Sequence, residues 1–125
     1  MNSFKQFVTL YEKRYTIDKF VKFCNHGLDI QNPCEIGFVD EPEHGMTTGC
    51  FSPVTREIKV LTKGRALVDI LRSIAHELVH AKQHEEGRLE PGSGDDGSPI
   101  ENEANSLAGV IMRKFQRENR DIYDN

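Results

Sequence analysis

Cysteine is scarce in this chain and odd in number. Cys24, Cys34 and Cys50 include no C-x-x-C pair, which argues against a disulfide framework and suits a reducing compartment. Their intervals of ten and sixteen residues match no thiolate metal site. Positive charge is not in excess either: the formal net charge is −4 with the signs mixed along the chain, so no basic stripe announces a nucleic-acid partner. The local group Arg113, Lys114, Arg117 and Arg120 reads as the solvated side of a last helix. No apolar run is long enough to cross a bilayer, and Met1-Asn2-Ser3-Phe4-Lys5 lacks the apolar stretch of a secretory signal. The expectation is a soluble, cytoplasmic protein with no membrane association, its 125 residues forming one domain over 1–125.

Against these absences stands one dense signal, His76-Glu77-Leu78-Val79-His80. Leu67, Ile70, Leu71, Ile74, Ala75, Leu78 and Ala81 recur at three- and four-residue steps around it, which predicts an amphipathic helix from about Arg65 to Glu86. On a helix His76 and His80 lie roughly 40° apart and one turn apart, close enough for both imidazoles to grip one ion. Glu77 falls beside the ion rather than on it, where its carboxylate can take a proton from water. This is the H-E-x-x-H spacing of zinc hydrolases. By chance it should occur on the order of once in a few hundred chains of this length.

A hydrolytic zinc site needs a third protein ligand and an open fourth position. After a stretch rich in Gly, Ser, Asp and Pro from Gly87 to Pro99, helical periodicity resumes at Ile100 and runs through Ala104, Leu107, Ala108, Ile111 and Phe115. Glu101 falls within about 60° of the centre of that apolar stripe, whereas Glu103 lies about 100° away on the other flank. Glu101 is therefore the favoured ligand and Glu103 the second candidate. Ser98-Pro99-Ile100-Glu101 also fits a capping box, in which Glu101 would only cap the helix. Asn105, one turn after Glu101, is placed to accept the free ring N–H of a ligating histidine.

His84 extends the histidines into a four-residue series, but a straight helix puts it about 12 Å from His76 along the axis. It is expected as a solvated or cleft-rim residue. His26 and His44 have no partner spacing and read as loop residues.

His76, Glu77 and His80, followed by Glu101-Asn102-Glu103-Ala104-Asn105, resemble the glutamate-ligand zincin metallopeptidases, or gluzincins, whose pattern is H-E-x-x-H and then E-x-x-x-D on a later helix. Ala75-His76-Glu77-Leu78-Val79-His80-Ala81 is similar to the minimal ImmA/IrrE and SprT-like peptidases, many of them carried by phages. The resemblance spans about residues 50 to 116. It implies that His76, His80 and Glu101 hold Zn2+, that Glu77 is the general base, and that the substrate is a protein or peptide cleaved by attack of zinc-bound water. Asn105 departs from the pattern, standing where many gluzincins have Asp. No tyrosine, histidine or arginine is recognisable as the oxyanion stabiliser. A non-catalytic zinc-site protein acting as a binding or regulatory factor is the alternative. A deformylase is not supported, because its glycine-rich and cysteine-ligand motifs are missing.

The remaining segments read as scaffold. Phe4, Phe7, Val8 and Tyr11, then Ile17, Phe20, Val21 and Cys24, predict one helix or two broken near Tyr15-Thr16. Glu35-Ile36-Gly37-Phe38-Val39, Gly49-Cys50-Phe51 and Glu57-Ile58-Lys59-Val60-Leu61 read as strands, with turn chemistry at Ser52-Pro53-Val54-Thr55-Arg56. The expected fold is α+β: a zincin-like minimal domain with a small, mainly antiparallel three-stranded sheet between the N-terminal helical part and two site-bearing helices. By the resemblance, Ile58–Leu61 is the candidate edge strand for pairing with an extended substrate. The connection from Gly87 to Ser98 is expected to be mobile, and a lid over the cleft.

Overall fold

A computed structural model describes residues 3–43, 45–89 and 97–120. Their order is α1 (Ser3–Gly27), β1 (Glu35–Val39), β2 (Gly49–Phe51), β3 (Glu57–Leu61), α2 (Leu67–Glu85) and α3 (Pro99–Glu118), an α+β arrangement of three helices and one small sheet. No helix among the described residues is long and apolar enough to cross a membrane.

The N-terminal segment is one uninterrupted helix rather than two. Neither glycine nor proline occurs between Ser3 and His26, so nothing at Tyr15-Thr16 breaks the backbone hydrogen-bond ladder. Thr16, Phe20 and Cys24 are buried on its inner side. His26, expected in a loop, stands exposed in the last turn of α1. His44 lies outside the described residues.

The three strands fall where alternation predicts them, but the sheet is mixed and not mainly antiparallel. β1 pairs with β3 in parallel from Glu35↔Glu57 to Val39↔Leu61, the longer of the two ladders. β2 pairs with β3 antiparallel over Gly49↔Val60 to Phe51↔Ile58. The strand order is β1-β3-β2. The cause is connection length. Residues 52–56 make a short hairpin that seats β3 directly against β2. Residues 40–48 are long enough to carry the chain across the roughly 10 Å of two strand spacings, leaving room for β3 in the middle. β3 is therefore the central strand, and the expectation that Ile58–Leu61 forms an edge is corrected: β1 and β2 are the edges.

One face of β3 packs on the helices, with Ile58 and Val60 fully buried against Ile70, Leu71, Ile74, Ala75 and Leu78 of α2. α3 adds Ala108, Met112 and Phe115 to the same cluster. Phe115 meets Phe20 edge to face at 4.9 Å between ring centroids and Phe23 at 5.3 Å, so the first and last helices close the core together. At its C-terminal end α2 is tied to the α1–β1 connection. The carboxylate of Glu85 accepts the backbone N–H groups of Gln31 (3.1 Å) and Asn32 (2.9 Å), and pairs with Arg56 at 3.0 Å. α2 is thus fixed on three sides before any ligand is considered.

Candidate metal centre

α2 buries Ile70, Leu71, Ile74, Ala75, Leu78, Val79 and Ala81, and the turn geometry of that stripe brings His76 and His80 to its flank. Their rings stand edge to face, 4.7 Å apart, with the two Nε2 atoms separated by 3.2 Å. The third group comes from α3. Ser98 caps that helix, its hydroxyl accepting the backbone N–H of Glu101 at 3.1 Å, with a proline in the first turn. The capping reading of Ser98–Glu101 therefore holds for the serine. The Glu101 carboxylate has a second engagement: Oε1 lies 2.8 Å from His76 Nε2, and Oε2 lies 3.1 Å from His80 Nε2. His76, His80 and Glu101 form the one group among the described residues whose donor atoms all fall within 4.8 Å of one another and can hold a metal ion.

The donor set can be tested against a tetrahedral ion. Bonds of about 2.0–2.2 Å require donors roughly 3.3–3.6 Å apart along each tetrahedral edge. The two Nε2 atoms, 3.2 Å apart, lie within a few tenths of an ångström of that edge, while Glu101 faces the two rings with different oxygens, Oε1 at 2.8 Å from His76 and Oε2 at 3.1 Å from His80, so ligation through one oxygen needs a turn of its carboxylate. Two imidazole nitrogens and one carboxylate suit zinc and neighbouring divalent ions, and leave a fourth position toward the cleft. Three protein groups fit such an ion.

Glu103, the second candidate, is turned away. Its carboxylate takes a bidentate pairing from Arg88, at 2.9 Å to Oε1 and 3.0 Å to Oε2, and Oε1 also accepts from Gln83 Nε2 at 2.8 Å. Arg88 and then Gln83 hold its carboxyl below the usual range. Asn105 hydrogen-bonds His76, as its position one turn after Glu101 predicts. Burial is the main force holding the His76 ring below its ordinary pKa, with His80 adding to it while Glu101 and Asn105 oppose it.

Glu77 sits beside the cluster and outside it, with 7 % of its surface exposed. Burial, and secondarily the charge of Glu101, pushes its carboxyl up to about 8. β2 passes directly over it. A β-carbon at Gly49 would stand 3.3 Å from Glu77 Cγ and Oε2 and 3.3 Å from the Lys59 carbonyl, so glycine is what admits the strand this close.

The site opens into a cleft of about 900 Å³. Thr47, Thr48 and Gly49 line it from β2 and the approach to it, while Arg65 and Arg72 line it from the other side. Arg65 is committed to the Leu61 and Asp69 carbonyls and to Ser73 Oγ, at 2.9–3.1 Å. Arg72 is largely exposed and pairs with Asp69 at 3.6 Å.

His84 stays out of the cluster, as helical rise requires. It is less solvated than expected: its Nδ1 lies 3.3 Å from Arg56 Nη1, and its ring 5.8 Å from that of Phe51. Cys24, Cys34 and Cys50 are free and stand outside the metal-competent group. The proposed lid falls largely on residues 90–96, outside the described residues.

Sequence reasoning missed Gln83 and Gly49. Gln83 had one visible signal, a polar side chain three residues after His80. Its other partners, Ile100 and Glu103, come from another helix and were not readable. Comparison with protein-family models, with curated proteins and with solved structures finds no match to this chain.

Proposed function

We propose that this protein is a zinc-dependent metallopeptidase of the gluzincin type, a minimal zincin that hydrolyses peptide bonds in a protein or peptide substrate. The observation that carries the reading is the convergence of His76 Nε2, His80 Nε2 and the Glu101 carboxylate at the floor of an open cleft, with the buried carboxyl of Glu77 next to them. Zinc held by His76, His80 and Glu101 would supply Lewis acidity and acidify water at its open position. Glu77 then acts as the base, taking the proton of the attacking water and delivering it to the departing amine.

The substrate strand belongs along β2. That strand is an edge of the sheet, and Thr48 and Gly49 line the cleft beside Glu77. An extended chain pairing with β2 would lie across the three metal-competent side chains, with its register set by backbone hydrogen bonds. Phe51, at the far end of β2, lines the same cleft and offers an apolar contact.

The test combines metal analysis with cleavage of an unfolded protein and a mixed peptide library. Wild type is expected to carry one zinc per chain and to cut, with activity lost on chelation. Glu77→Gln should keep the metal and lose about 10²- to 10⁴-fold in rate. His80→Ala and Glu101→Ala should lose the metal, while Glu103→Ala keeps it at saturating zinc. A wild-type rate in Glu77→Gln would overturn the general-base assignment. Stoichiometric zinc with binding but no hydrolysis of any substrate would favour the non-catalytic binding factor instead.

A further inference from the structure

We infer that Gln83 is a positioning residue that fixes the ring tautomer of His80, and so decides which of its nitrogens presents a lone pair to the metal. The inference rests on reading His76, His80 and Glu101 as the metal ligands. It follows from a count of donors and acceptors around one amide.

Gln83 is 1 % exposed, on the turn of α2 after His80, and its amide has three neighbours. Nε2 donates to the Ile100 carbonyl at 3.1 Å and to Glu103 Oε1 at 2.8 Å. Both of those atoms are acceptors only, so the NH₂ must face them; the flipped amide would set oxygen against oxygen twice. The amide oxygen is then forced toward His80, where Oε1 lies 2.8 Å from Nδ1. An oxygen cannot donate, so His80 Nδ1 must carry the ring hydrogen. In the neutral ring Nε2 is left with its bare lone pair, 3.2 Å from His76 Nε2 and 3.1 Å from Glu101 Oε2. That is the arrangement in which three electron pairs converge on one point and a cation is the natural occupant.

The chain of contacts does not end at Gln83. Glu103 is gripped bidentately by Arg88, which also reaches Glu86 Oε1 at 3.0 Å. Arg88, Glu103, Gln83 and His80 thus form a continuous relay from the foot of α2 to the metal-competent nitrogen. Its outer half and the Ile100 carbonyl belong to the same docking of α3 that delivers Glu101. Glu103 would then support the site without ligating it.

The tautomer is measured directly by long-range ¹H–¹⁵N correlation on histidine-labelled protein stripped of metal. The expected result for wild type is His80 as the Nδ1–H tautomer, and this measurement needs no variant. Gln83→Met, which keeps the bulk and removes both hydrogen-bonding arms, should release His80 into a mixture of tautomers. It should also weaken zinc binding by 10- to 100-fold in competition with a chromophoric chelator. Wild-type His80 found as Nε2–H, or Gln83→Met with tautomer and zinc affinity both unchanged, would overturn the role of Gln83. Failure of the wild type to bind zinc at all would instead remove the metal-site reading on which the inference stands.

Discussion

At the scale of single residues, the placement of His76, Glu77 and His80 beside one another was legible because one helix fixes all three, and helical geometry is the most transferable number in a sequence. Glu101 was legible for a related reason, since its phase against Ala104 and Ala108 put it on the buried flank of α3. Gln83 was not, because its importance depends on Ile100 and Glu103, seventeen and twenty residues away on another helix. The buried carboxyl of Glu77 gives a prediction in pH. Its folded pKa is raised to about 8, above the ordinary 4.5, so between those values the folded protein binds the proton that the unfolded chain has released. Stability of chelator-treated protein should therefore fall as pH rises from about 4.5 to about 8, and level off above. His76, held below 6.5, contributes in the opposite direction, losing stability as pH falls below its ordinary value. The Glu77 part is isolated as the difference between wild type and Glu77→Gln in denaturant titrations with chelator present. Glu77→Gln should become the more stable of the two by a growing margin toward pH 8; parallel curves would show that Glu77 ionises as freely folded as unfolded.

At the scale of elements, strand positions were readable and their pairing was not. Alternation in Glu57–Leu61 marks a strand with one buried face, but looks the same beside a parallel or an antiparallel neighbour. The information lay in the connections, a five-residue hairpin at 52–56 against the nine residues 40–48. Reading β3 as an edge failed for that reason. Helix α1 is undivided because no glycine or proline interrupts it before Gly27, which decides between the one helix and the two that its periodicity allowed. α3 offers an element-scale prediction. Ser98 satisfies the backbone N–H of Glu101, and so aligns the turn whose side chain reaches His76 and His80. Ser98→Ala should cost about 1 kcal/mol of stability. In a chain this size that is a melting-point drop of about 4 °C, measurable by thermal denaturation. The same substitution should weaken zinc affinity; an unchanged melting point would mean the cap does not hold α3 in place.

At the scale of the whole molecule, the cleft and the core are built by the same packing. α2 buries one side against β3 and α3, and holds His76, Glu77 and His80 at the border of that contact, so the site's rigidity derives from the core. The N- and C-terminal helices meet through Phe20 and Phe115 on the far side. An ion bound only by the folded chain stabilises it in proportion to its occupancy. Zinc at about a hundred times its Kd should add about 2.7 kcal/mol, seen as a higher melting point that chelator reverses and that His80→Ala does not show. No zinc-dependent shift in the wild type would mean the ion is not held by the native arrangement. His80 and Glu101 are twenty-one positions apart, on separate helices. An ion shared between them works as a clasp, a cross-link that can be fastened and undone without a covalent bond. Metal scarcity would loosen α3 together with the cleft that His76, His80 and Glu101 share, so the chain that has lost its ion would also be the one most open to proteolysis.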